Sequence, residues 1–231
     1  MGPDAKPVSG SHNRLGDRAV RADRRGRFEI EDAAYAPIRV RAAGHHPVDI
    51  EATVGHFVSM KVEEIGFEAV NLSGAQVGDD ATDRLLVQLA NDTEIDAIVV
   101  DIKEDLVFYD TIVEFFRDAD MAVEAFDAAK LVRLLHKNGI YAIARQVVFE
   151  DPIVAEFYPK LAVKQDGDDE LWRGGEGEAW VNPFARQLWQ PTIDLASEAA
   201  TFGFEEIQYD HIRFPSDGDP ATPDFGPDYD E

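Results

Sequence analysis

Hydrophobic and polar positions follow two rhythms along the chain. Over the first 64 residues they alternate in short runs at 28–31, 37–42, 47–54 and 57–62, separated by 32–36, Gly44-His45-His46 and Gly55. Ile38 and Val40 alternating with Arg39 and Arg41 predict a strand with one wet face. From about Gly66 the rhythm becomes strand, helix, strand, helix. Residues 67–72 predict a strand, and 80–90 a helix with Leu85, Leu86 and Leu89 at helical spacing. The run IDAIVVDI at 95–102 is nearly continuous in apolar residues, as in a strand buried on both faces. An amphipathic helix is predicted over 125–136, with Gly139 where a helix C-terminal glycine belongs. A third buried strand spans 140–149. After a long polar stretch containing Trp172 and Trp180, a helix runs from about 184 to 201, and a fourth strand covers 204–209.

Repeated βα units with buried strands predict a parallel sheet covered by helices, either doubly wound or a (β/α)8 barrel. The turn after the first of these strands, Asn71-Leu72-Ser73-Gly74-Ala75-Gln76, holds one glycine only, which argues against a nucleotide-binding fold. Four strands make half a barrel, and the residues after Phe214 form a Pro-, Gly- and Asp-rich tail.

Charge narrows the partners. The chain carries 22 Lys and Arg against 46 Asp and Glu, a formal −24. Residues 1–46 hold nine basic and six acidic side chains, and the remainder 13 and 40. A field of that sign repels phosphate backbones and so disfavours nucleic acid. It is read as a solvated surface rather than an acidic recognition patch. There is no cysteine, so neither a disulfide framework nor a cysteine metal site is expected. No run approaches the roughly 18 apolar residues of a membrane span, and no signal-peptide stretch opens the chain.

Ligand sites in α/β folds lie at the carboxyl ends of the strands. Those ends carry Asn71 and Ser73, then Asp101, Lys103, Glu104 and Asp105, then Arg145, and finally Asp210, His211 and Arg213. Asp101, Arg145 and Asp210 interrupt apolar runs, where an unpaired charge is costly. Arg145 therefore serves either as the hub of a buried ion-pair network or as a ligand clamp. For Asp210 a functional role is favoured: a strand-end carboxylate can attack an anomeric carbon or stabilise an oxocarbenium ion, and a nearby arginine keeps it ionised. Asp101, two strands away, is the candidate second carboxylate. Trp172, Trp180 and Asn182 fall in a strand-to-helix loop, where aromatic rings either stack on sugars or pack the rim. Tyr109 lies on the loop after the second strand and is equally open. The acidic loops at 166–170 and 217–219 lack EF-hand spacing, and the His45-His46 pair has no further ligands at metal spacing, so no metal site is expected.

AIVVDIKED, GIYAIARQVVFEDP, WVNPF and GFEEIQYDHIRFPSDG resemble the motifs of a bacterial family of glycoside hydrolases, nearly end to end over 67–219. The resemblance implies a TIM barrel related to α-glycosidases, with only about the first four βα units present over 65–231. It implies Asp210 at the usual nucleophile position and no organic cofactor. Asp101, Lys103, Arg145 and Arg213 match other motif positions. His211 replaces the family's usual tyrosine, and the acid/base carboxylate is expected beyond Glu231. Residues 1–64 resemble a partial carboxypeptidase regulatory-like β-sandwich, through KPVSG at 6–10, DRRGRFEI at 23–30 and the segment 40–45.

Together these resemblances imply an extracellular or cell-surface hydrolase acting on O-glycosidic bonds of a polysaccharide or oligosaccharide. Asp210 and Asp101 are its expected catalytic residues. Arg145, Trp180, Asn182, Arg213, Lys103 and Tyr109 are the expected carbohydrate contacts. The alternative is a non-catalytic carbohydrate-binding or cell-surface interaction protein. Open edges of a half barrel predict self-association.

Overall fold

The computed structural model describes residues 12–15, 18–23, 27–29, 37–41, 45, 48–51, 60, 63, 66–118, 120–216, 218–219 and 221–226. The chain divides into two units, Met1–Gly66 and Phe67–Glu231.

In the first unit, β1 (His12–Leu15), β2 (Arg18–Arg21), β3 (Pro37–Arg41) and β4 (Val48–Glu51) form an antiparallel sheet in the order β2-β1-β3-β4. The alternation at 38–41 behaves as its pattern predicts: Ile38 and Val40 are buried, and Arg39 faces out to pair with Asp49 at 2.9 Å across the β3–β4 register. β1 and β2 carry no apolar alternation and were not legible. Residues 28 and 29, expected in a strand, lie outside one. KPVSG at 6–10 and nearly all of the run at 57–62 fall outside the described residues.

The second unit is mixed α/β. Its elements are β5 (Ala69–Ser73), α1 (Asp80–Asp92), β6 (Ala97–Lys103), α2 (Glu114–Asp118), α3 (Ala128–Lys137), β7 (Tyr141–Val147), α4 (Pro152–Phe157), β8 (Lys164–Gln165), α5 (Trp189–Phe202), β9 (Glu206–Asp210) and β10 (Pro223–Asp224). β5, β6, β7 and β9 form a central parallel sheet in that order. Strand alternation sends Ile98, Val100, Ile102, Ala142 and Ala144 to one face. There they join Leu131, Leu135, Leu195 and Ala199 from α3 and α5 in the main core. The opposite face holds a smaller apolar cluster of Ala97, Val99 and Ile143, with Phe67 stacked on Tyr141 at 4.0 Å.

The helix ends follow local chemistry. Asp79 caps α1 through the N–H groups of Ala81 and Thr82, and Asp127 caps α3 through that of Lys130. Asp127 is why α3 begins at Ala128 rather than at 125. Gly139 takes φ 73° just past α3, the left-handed conformation that its position predicts. α5 starts later than expected, after a 3-10 turn at Arg186–Leu188. Its Pro191 sits in the first turn, where a missing N–H leaves no intrahelical bond unmade. Within the acidic tail, β10 pairs antiparallel with β8, and Phe225 packs into a cluster with Val163, Trp172 and Trp180.

Candidate active site

The sheet register brings the strand-end polar residues together. Asp101 is level with Arg145 across β6 and β7, and β9 ends at Asp210, opposite Val147. Arg145 bridges the two carboxylates, donating from Nη1 to Asp101 Oδ1 at 2.7 Å and from Nε to Asp210 Oδ2 at 2.9 Å, with Nη2 closing on the same Asp210 oxygen. Asn71 on β5 donates to Asp101 Oδ1 at 3.1 Å. All four strands therefore contribute to one polar chain, Asn71–Asp101–Arg145–Asp210.

The two carboxylates occupy different environments. The Asp101 side chain is 4% exposed, whereas that of Asp210 is 36% exposed. Asp101, expected as a second catalytic carboxylate, is instead shut in beneath Arg145 and anchors it. Burial on its own raises the Asp210 pKa. The backbone N–H of His211, which donates to Oδ1 at 2.7 Å, and the bonds and charge of Arg145 outweigh it, holding the carboxyl below its ordinary value. Arg145 loses some stabilisation to burial, but its bonds to Asp101 and Asp210 hold its pKa above the ordinary value. The result is an ionised, accessible carboxylate at a strand end, fixed on one side by a guanidinium.

Several other expected contacts are placed elsewhere. A register shift between Asp101 and Lys103 aligns Lys103 with Gln146 and turns it to the helix-covered side. There it forms a buried ion pair with Asp151 at 2.6 Å and donates to the carbonyls of Glu104 and Val147. Tyr109 is buried too: its hydroxyl donates to Glu198 Oε2 at 2.8 Å, and the Thr111 hydroxyl and Ile112 N–H reach the same carboxylate. Burial, then the Glu198 charge, drives the Tyr109 pKa far up. Trp180 is 0% exposed, so its ring offers no face to a sugar; it packs with Val163, Trp172 and Phe225. Asn182 pins its loop, donating to the Phe225 carbonyl at 2.9 Å and accepting from the Phe184 N–H. Arg213 stays near the opening, its guanidinium over the Trp180 ring at 5.1 Å and 3.7 Å from Glu150.

Glu150 and His211 also lie at this end of the sheet, outside the set of expected catalytic and carbohydrate-contact residues. Glu150 sits three residues past β7, and its Oε2 contacts His211 Nδ1. The signal for it was FEDP at 149–152, an acidic pair at a strand end. The second of the pair, Asp151, caps α4 through the Val154 N–H and thereby aims the first elsewhere. Among the described residues, no group of three or more His, Asp and Glu side chains is placed to hold a metal ion, and no helix is long and apolar enough to cross a membrane.

Residues 69–230 match the family described as "Putative glycosyl hydrolase domain". The chain belongs to this family. The fold is shared with the crystal structure of a hypothetical protein from Ruminiclostridium thermocellum ATCC 27405, at 36% identity over 68% of this chain and 81% of that one, TM-score 0.63. A weaker likeness, at 14% identity, extends to an alpha-galactosidase from Thermus thermophilus, over 62% of this chain and 30% of that one, TM-score 0.43. No curated protein matches the chain.

Proposed function

We propose that the second unit is a glycoside hydrolase domain acting on O-glycosidic bonds of an oligosaccharide or polysaccharide, with Asp210 as the carboxylate that meets the anomeric carbon. The observation that carries this reading is the state of Asp210 at the carboxyl end of β9. It is one-third exposed and ionised, with Arg145 on Oδ2 and the His211 N–H on Oδ1. A carboxylate so placed can bond to C1 or stabilise its developing positive charge. Membership of the glycosyl hydrolase family supports the substrate class. Arg145 and Asp101 act as positioning residues, and Arg213 is the most exposed of the expected carbohydrate contacts.

In this reading the sheet is the first half of a (β/α)8-type barrel. The N-terminal unit serves as a spacer or interaction module, and the protein works outside the cell. Reducing-end release from a panel of polysaccharides tests the activity. Release by the wild-type chain is expected. Saturable polysaccharide binding without release would make the protein a carbohydrate-binding module instead.

A further inference from the structure

The β7–β9 pairing runs past the ends of both strands. The Val148 N–H donates to the Asp210 carbonyl at 2.9 Å, and the Phe149 N–H to the His211 carbonyl at 3.3 Å. The Phe149 carbonyl in turn accepts from the Val181 N–H at 2.8 Å. On the other side, Asp151 is tied to Lys103 at 2.6 Å and to the Val154 N–H at 2.9 Å. Glu150 therefore stands on a backbone pinned from both directions, beside the segment that follows Asp210. Its side chain is 30% exposed, and its two oxygens differ. Oε2 lies against His211 Nδ1 and 3.7 Å from Arg213 Nη2, whereas among the described residues no donor reaches Oε1. A carboxylate steadied through one oxygen, on a rigid stretch of chain, has acceptor capacity left for a donor from outside the protein.

One imidazole ring separates this carboxylate from Asp210. His211 meets Glu150 through Nδ1, and its Nε2 lies 3.8 Å from Asp210 Oδ2. With C1 of a sugar at Asp210, the hydroxyl on C2 is two bonds away from C1, within reach of a carboxylate one ring distant. Hydrogen bonds to that hydroxyl strengthen as positive charge develops at C1. The exposed Arg213 guanidinium beside Glu150 is a donor only, and it complements the acceptor by bonding a hydroxyl oxygen. Resting on the hydrolase reading, we propose that Glu150 is a substrate-binding residue that accepts the hydrogen bond of the sugar's 2-hydroxyl. The substrate class it selects is a sugar with a free 2-hydroxyl, as opposed to one deoxygenated or alkylated there.

Four substrates test this on the full chain: 4-nitrophenyl α-D-glucopyranoside and α-D-galactopyranoside, each beside its 2-deoxy counterpart. Glu150→Ala, matched to wild type for circular dichroism and melting temperature, is expected to lower kcat/KM on the hydroxylated glycoside by about 10–100-fold, and on its 2-deoxy counterpart by less than about threefold. Glu150→Gln, whose amide oxygen still accepts, is expected to recover part of that difference. Equal losses on both members of a pair, or no loss, overturn the contact. Asp210→Asn is expected to stop cleavage of both members alike, which leaves the hydrolase reading standing where the contact fails. If wild type cleaves none of the four, that reading falls, and the contact is read from binding of the same glycosides in proton NMR titrations. A Glu150→Ala loss confined to the hydroxylated sugars then supports it; equal binding across the pairs, or no binding, overturns it.

Discussion

At the scale of single residues, the site depends on one guanidinium satisfying two carboxylates. Removing it by Arg145→Gln leaves the shut-in Asp101 without its cation, and destabilisation by about 3 kcal/mol is expected in urea unfolding. The same substitution changes the pH response of Asp210. Because its folded pKa is depressed, Asp210 stabilises the wild-type fold above the ordinary carboxyl range, and that contribution is lost as pH falls through the lowered value. In Arg145→Gln the acid limb of a rate–pH profile is expected to move upward. A limb that stays in place would remove Arg145 from the electrostatics of the site. Gly74 is a second sensitive point: an added Cβ would lie 2.4 Å from the Asp101 carbonyl oxygen and 2.6 Å from the Phe108 ring. Gly74→Ala is therefore expected to lower stability by about 1–3 kcal/mol, read by thermal unfolding. The sequence showed the strand-end residues Asp101, Arg145 and Asp210 but not their division of labour. Exposure separates the two aspartates, and exposure depends on which side chain Arg145 lies over.

At the scale of elements, buried ionic and polar ties fix the loops that carry the site. Lys103 and Asp151 hold the end of β6 to the start of α4, and Glu198 on α5 gathers three donors from 109–112. Glu198→Ala leaves those donors in a closed interior. A loss of about 2 kcal/mol or more is expected in denaturant unfolding, against near-neutral behaviour if the loop finds water. The long apolar runs made β6 and β7 legible, and helical spacing with Gly139 did the same for α3. β8, β10 and α4 were not legible, because each is short and takes its identity from partners distant in sequence. The same holds for Lys103 and Tyr109. The motif position of Lys103 and the loop position of Tyr109 left ligand contacts open, but a register shift and a glutamate 89 residues away bury them. Trp180 was open between two roles, and burial by Phe225 and Trp172 decides for packing.

At the scale of the whole molecule, the dominant quantity is a formal charge of −24, carried mainly past residue 46. Self-repulsion of this size opposes the compact state and is screened by salt. The melting temperature is therefore expected to rise between low and about 0.5 M sodium chloride; a flat or falling response would mean that the acidic surface is locally neutralised. The parallel sheet delivers all four strand ends to one edge, and the family match spans the same unit. The central claim is that the carboxylate at the end of β9 performs the chemistry. Reducing-end release by wild-type and Asp210→Asn chains, matched for circular dichroism and melting temperature, tests it most directly. A loss of about a thousandfold in kcat/KM with substrate binding retained is the expected result, some 4 kcal/mol of transition-state stabilisation. Full activity in Asp210→Asn would contradict it.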